Sequence, residues 1–278
     1  MTTLSNPTVV VRDISKTYEI YNDGSTRSIF GRKKRQKVQA LSNINFVASA
    51  GESIGILGQN GSGKSTLLSI IAGSEAPTTG EVRVSSAPTL LGVSAALQSK
   101  ASGRENIRIG LLAMGVQPKE VEELVPRVLE WTELGEAADR ALSTYSSGMR
   151  AKLKFGISTA VNREILLIDE ALSTGDSTFA QKAQKKMDSL LNSSGTVFIV
   201  SHAPGVIEQH CSRVLWLHKG EIIGDGTPGY FGPKYHKWSR RVAHGNYEGA
   251  EELIQQFRDR YTPPLIITDS EAIKMLDS

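Results

Sequence analysis

The chain has 278 residues, enough to bury a large core in one or two domains. Its 39% hydrophobic and 22% charged residues are ordinary for a globular protein, and no apolar run approaches the roughly 18 residues of a membrane span. A net charge of +3 is too small to name a partner, while a single cysteine, Cys211, excludes an internal disulfide and suits a reducing compartment.

Residues 1–6 are polar and lack the charged-then-apolar profile of a signal peptide. Residues 8–11 read as a first strand, followed by a polar segment with Asp23 and Gly24. Arg32, Lys33, Lys34, Arg35 and Lys37 then form a dense basic run. Such a run is a solvated loop, or a contact for anionic lipid headgroups or a phosphorylated substrate. Nucleic acid is the weakest choice, because no aromatic platform is interleaved with the charges. Residues 38–48 alternate as a second strand, Ala50-Gly51-Glu52 makes a turn, and 53–57 is a short apolar strand. From 63 to 72 the pattern is helical, with Leu67, Leu68, Ile70 and Ile71 on the buried side and Gly73 as its stop.

A helix-rich stretch follows over 102–161. Ser102 and Glu105 have capping-box spacing, and Val121, Leu124, Val125, Val128 and Leu129 recur at helical spacing after Pro118, with Pro126 set to kink them. Residues 165–168 read as a buried strand, 179–191 as a helix with Phe179, Ala183, Met187 and Leu190 on one face, and 196–200 as another strand. Residues 213–218 and 221–224 flank Lys219-Gly220 as a hairpin. Alternating strands and helices imply an α/β fold with a mainly parallel sheet. Beyond 228 the character changes, with one helix expected over 248–261 and Pro263-Pro264 as its stop.

Gly58-Gln59-Asn60-Gly61-Ser62-Gly63-Lys64-Ser65 has the G-x-x-x-x-G-K-[ST] spacing of a phosphate-binding loop. Its glycines let backbone N–H groups turn inward on phosphate oxygens, and the next helix directs its positive end at the same anion. Lys64 is expected to reach the β- and γ-phosphates of ATP, and the Ser65 hydroxyl to hold Mg²⁺. Asp169 and Glu170 close the strand at 165–168. Alone such a pair is usually a helix cap; downstream of a phosphate loop, Asp169 is a ligand for Mg²⁺ and Glu170 can orient or deprotonate water. His202 ends the strand at 196–200 and reads as a structural histidine or, within this set, a γ-phosphate contact.

Tyr145-Ser146-Ser147-Gly148-Met149 precedes a helical stretch over 150–160 and resembles the ABC signature, usually written LSGGQ. Its YSSGM form resembles the ATPases that export O-antigen, teichoic acid, galactan and related cell-envelope polysaccharides. The order of parts is also similar to an ABC cassette: phosphate loop, helical subdomain, signature, acidic pair, a D-loop at 171–176 with Gly175 and Asp176, and a histidine. Residues 90–107, with Gly103-Arg104-Glu105-Asn106-Ile107, resemble the Q-loop region.

The resemblance covers residues 8–225. It implies a cassette over 8–228, comprising a P-loop ABC-type core, an antiparallel β subdomain and a helical subdomain at 102–161, with a short, partly helical extension at 229–278. It also implies ATP sandwiched between two copies, with Ser146, Ser147, Gly148 and Met149 closing over nucleotide held by the other copy. Thr66 and Asp176 join the nucleotide-contacting set, and Tyr18, with Tyr21 as the fallback, is the aromatic beside adenine. The implied partners are a second ATPase subunit, a separate integral-membrane permease and, indirectly, a lipid-linked polysaccharide, with the chain peripheral on the cytoplasmic face of the membrane and no nucleic acid. Alternatives are an exporter of another substrate, such as a lipid or drug, or a soluble ABC protein. The latter usually fuses two cassettes or inserts a long coiled coil, and neither is seen.

Three departures stand out. The usual Q-loop glutamine has no counterpart near Gly92-Val93, because Gln98 lies several residues later. The stretch between Tyr18 and the phosphate loop is longer than in a minimal cassette and holds the basic run. The residues after 228 are too few and too helical for a carbohydrate-binding β-sandwich.

Overall fold

A computed structural model describes residues 6–21, 35–91, 97–161, 163–169, 177–201 and 204–267. In chain order the elements are β1 (Pro7–Tyr21), β2 (Arg35–Ser49), β3 (Ser53–Leu57), α1 (Lys64–Ile71), β4 (Thr79–Val84) and β5 (Thr89–Leu91). Next come α2 (Gly103–Ala113), α3 (Pro118–Thr132), α4 (Ser147–Ser158), β6 (Ile165–Asp169), α5 (Ser177–Ser193) and β7 (Thr196–Val200). The last are α6 (Pro204–His210), β8 (Arg213–His218), β9 (Glu221–Gly226), α7 (Pro228–Ala243) and α8 (Tyr247–Arg258). Parallel and antiparallel strands together with helices make the fold α/β. The chain divides into two compact units, Met1–Ser85 with His202–Ser278, and Ser86–Ser201.

In the first unit β1 pairs antiparallel with both β2 and β4. β1 runs well past the expected 8–11. Register shifts near Asp13, which has φ 52°, interrupt the alternation by which its length would be read. The Asp13 N–H there donates to Asn45 Oδ1 at 2.9 Å. β3 pairs parallel with β8, and β8 turns antiparallel into β9 through Lys219 and Gly220, at φ 47° and 84°. Both central residues at positive φ are what a tight hairpin with native twist requires.

α7 was not expected, because its Pro228, Gly229, Gly232 and Pro233 carry loop signals. Pro228 occupies the first turn, where a missing N–H costs nothing, and the helix closes an aromatic block over β8. Trp216, 0% exposed, is ringed by Phe231, Tyr235, Trp238 and Phe257 at centroid distances of 6.5, 5.5, 6.2 and 5.1 Å. α8 supplies Phe257 and buries Leu253 and Ile254 beside it.

The second unit carries the parallel strands β5, β6 and β7, with Ile165–Ile168 of β6 buried. Its helices enclose a core of Ile107, Leu111, Val125, Val128, Leu153 and Ile157. The capping box forms as its spacing predicts: Ser102 Oγ accepts from the Glu105 N–H at 3.2 Å, and Glu105 Oε2 accepts from the Ser102 N–H at 2.7 Å. α3 starts with Pro118 in its first turn and continues through Pro126. Buried Asn106, in the segment resembling a Q-loop region, ties Gln98 to α2. Its Oδ1 accepts from the Gln98 N–H at 2.7 Å, and its Nδ2 donates to Gln98 O at 3.0 Å.

Candidate functional site: a phosphate cradle and an exposed helix start

β3 is buried from Ile54 onward and delivers the chain at Leu57 into the loop at 58–65. Gly58 sits where a Cβ would lie 2.4 Å from Leu217 O and 2.5 Å from Ser62 Oγ, so no other residue fits there. Gly63 caps α1 at φ 104°, with Ala40 O 2.6 Å from where a Cβ would stand. These two constraints fold the loop onto itself. Lys64 is 6% exposed, and its Nζ donates to Gly58 O at 2.7 Å and Gln59 O at 2.9 Å. The ammonium is thereby fixed over the loop rather than extended into water. Asn60 and Gly61 are exposed at the rim.

Ser62 supplies a direct test of what the loop fits. It is 1% exposed, and its Oγ has no hydrogen-bond partner among the described residues. A buried hydroxyl without a partner is costly, and one facing a cradle of this composition matches an absent acceptor such as a phosphate oxygen. α1 follows with no acidic residue in its first turn, leaving the positive end of its dipole uncompensated. Ser65, on the same turn, is exposed.

Tyr18 lies beside this helix. Its hydroxyl donates to Glu75 Oε2 at 2.8 Å. Lys16 Nζ lies 3.0 Å from Glu75 Oε1 and 5.1 Å from the Tyr18 ring centroid. Burial pushes the Tyr18 hydroxyl up. Burial alone would also raise Glu75, but the bonds from Tyr18 and Lys16 prevail and hold that carboxyl below its ordinary value. The Lys16–Tyr18–Glu75 cluster was not anticipated, because its members lie on β1 and after α1, far apart in sequence. Tyr21 closes β1.

In the second unit, Ser146 caps α4, its Oγ accepting from the Met149 N–H at 3.2 Å. Tyr145 is buried and donates its hydroxyl to Ala137 O at 2.6 Å, which anchors the approach to the helix. Ser146, Ser147 and Gly148 are exposed, and the space beside Gly148 is open except for Ser146 Oγ at 3.9 Å. The start of α4 therefore presents free backbone N–H groups to solvent. Asp169 ends β6, partly exposed, with Val200 as its register partner. Glu170, Asp176, His202, Gly92-Val93 and Arg32 to Lys34 lie outside the described residues. Lys37 is exposed on β2.

A family model described as "ABC transporter" matches residues 41–173. Three curated relatives are named teichoic acids export ATP-binding protein TagH. The one from Lactococcus lactis is 40% identical over 231 residues, spanning 81% of this chain and 50% of its own length. The Bacillus cereus protein is 39% identical over 78% of this chain and 40% of its own. The Staphylococcus haemolyticus protein is 37% identical over 83% of this chain and 88% of its own. The chain thus spans half or less of two of these relatives and most of the third. Among solved structures, a dimeric ATP-binding cassette in a post-hydrolysis state with ADP and Pi aligns with a TM-score of 0.62. It shares 23% identity over 79% of this chain and 98% of its own, a likeness of fold.

Proposed function

Because the chain belongs to the ABC transporter family, we propose that it is the ATP-hydrolysing subunit of an exporter. Its cargo in this reading is a lipid-linked cell-envelope polysaccharide of the teichoic-acid type, carried across the cytoplasmic membrane. The observation that carries the reading is 37–40% identity to teichoic acids export ATP-binding proteins, in a chain whose phosphate cradle keeps an unpartnered buried hydroxyl. Among the described residues no helix is long and apolar enough to cross a membrane. In this reading a separate integral-membrane permease spans the membrane, with this chain peripheral on its cytoplasmic face.

Each assigned residue has a task that its chemistry fits. The backbone from Gly58 through Gly63 wraps the triphosphate, Lys64 exchanges loop carbonyls for β- and γ-phosphate oxygens, Thr66 contacts the nucleotide, and Tyr18 lies beside its adenine. Ser65 and Asp169 offer hard oxygen ligands to Mg²⁺, which when bound neutralises charge on the β- and γ-phosphate oxygens. Glu170 orients or deprotonates the attacking water, and His202 contacts the γ-phosphate. Ser146, Ser147, Gly148 and Met149 bring the exposed start of α4, with Asp176, to the ATP held by a second copy. Two nucleotides are thereby enclosed in a homodimer, and hydrolysis opens it and moves the permease.

Replacing Glu170 with Gln in the purified chain tests this directly. The expected result is retained ATP binding, turnover reduced by roughly 100-fold or more, and an ATP-dependent dimer on size exclusion. Undiminished turnover would refute the assignment.

A further inference from the structure

The second unit carries a cavity of about 340 Å³ between the later turns of α3, the end of α4 and the middle of α5. That volume lies at the lower end of the range that small-molecule sites occupy. The one aromatic residue in its lining, Trp131, is held by two further rings. Trp131 of α3 stacks on Phe155 of α4 at 5.2 Å, and Phe179 of α5 meets the two rings edge-on at 5.3 and 6.1 Å. The three helices are thus pinned by one aromatic knot. α3 and α4 also approach closely, since a Cβ on Gly156 would come 2.5 Å from Thr132 Cγ2. Val128, Gly156, Thr159 and Ala160 line the floor.

The polar side of the cavity is asymmetric. Lys182 is already committed, donating to Trp131 O at 2.9 Å and pairing with Glu133. Arg127 and Lys186 also line the cavity, and neither makes an ion pair among the described residues. Glu130 is the one carboxylate in the lining. Two cations without an ion pair among the described residues, beside the Trp131 ring, favour a ligand with an anionic head and an apolar body.

We propose that this cavity is a binding site for a small amphiphilic anion. Its apolar body lies against Val128, Trp131 and Ala160, and its carboxylate, sulfonate or phosphate group faces Arg127 and Lys186. None of its lining residues belongs to the loop at 58–65. Its occupant would bridge α4, which carries Ser146 to Met149 at its far end, to α5.

The probe is 8-anilinonaphthalene-1-sulfonate, titrated by fluorescence into the full chain with excess ADP present. One saturable site per chain is expected. Reversing both charges, Arg127→Glu with Lys186→Glu, should weaken it about tenfold or more. The uncharged N-phenyl-1-naphthylamine should bind parent and variant within about threefold. Ala160→Trp, which fills the floor, should abolish binding of both. Should Ala160→Trp fail to fold, the charge-reversed pair decides alone, since Arg127 is exposed and Lys186 partly so. Equal sulfonate affinity in a charge-reversed variant with the parent's circular dichroism would overturn the proposal, as would the lack of a saturable site.

Discussion

The phosphate loop and the aromatic block around Trp216 are built on the same pair of strands but by different means. β3 ends in the loop, and its neighbour β8 carries Trp216 directly opposite Leu57. The loop is a contiguous octapeptide whose shape is dictated by backbone needs: two positions where no Cβ fits, a lysine folded over its own carbonyls, and a helix start. The block is assembled from Trp216, Phe231, Tyr235, Trp238 and Phe257, spread over two helices and a strand. Backbone constraints of the first kind can be read from adjacent letters. Packing of the second kind depends on which distant side chains meet. The two regions join at the β8–β9 turn, where the Gly220 N–H donates to Ser62 O at 3.0 Å and Gly220 O accepts from the Ser42 N–H at 2.8 Å.

If the block supports the loop, the largest loss should come from the block itself. Trp216→Ala should destabilise the chain by about 3–5 kcal/mol in denaturant unfolding, the range for removing a buried aromatic. Nucleotide affinity should fall with it. Lys64→Ala attacks the other side of the comparison. It should lower ATP affinity roughly 10- to 100-fold, the loss of charge-assisted bonds, while leaving the unfolding midpoint nearly unchanged. An unchanged nucleotide titration would contradict the cradle.

Gly220→Ala probes the joint. With φ at 84° and Ala40 O 2.7 Å from the added Cβ, it should cost about 1–3 kcal/mol and weaken ATP binding by moving the Ser62 carbonyl's donor. Loss of stability without loss of affinity would show the two regions to be independent.

The smallest effect concerns His218, at the rim of the block. The ring is 3% exposed, neither nitrogen has a hydrogen-bond partner among the described residues, and it meets Trp238 edge-on at 5.8 Å. Burial pushes it down from 6.5 to about 4; Lys219 and Arg258 add to the shift, and Glu251 opposes it. Between those values the unfolded chain binds a proton that the fold rejects. The contribution of the neutral ring is therefore complete above pH 6.5 and is lost as pH falls toward 4. His218→Phe should flatten the thermal midpoint over that window, and an unchanged slope would show that other groups set it.

The same contrast explains what could be read in advance. β3, β7 and the Ser102–Glu105 cap follow from apolar runs and local hydrogen bonding, so their spans needed no tertiary information. β4 escaped notice because its residues are only exposed or partly exposed, and β5 because three residues carry no period. α7 hid behind its prolines and glycines, since only packing against Trp216 makes that stretch helical. Within the candidate site, the loop at 58–65 was legible residue by residue. The Lys16–Tyr18–Glu75 cluster was not, because only the β1 register and α1 bring it together. Ser146 to Gly148 were legible through family resemblance, the isolated helix start being a weak signal by itself.

In the proposed dimer the loop at 58–65 of one copy and residues 146–148 of another close on a shared nucleotide. In a Cys211→Ser background, Asn60→Cys and Gly148→Cys chains can be made separately, mixed, and treated with a short bismaleimide. Each chain then carries one reactive thiol, so only contact between copies can link the two sites. A covalent Asn60→Cys–Gly148→Cys dimer is expected to form with ATP and Mg²⁺ and not without nucleotide, as closure of the two copies requires. ATP-saturated chains that give no such dimer would contradict it.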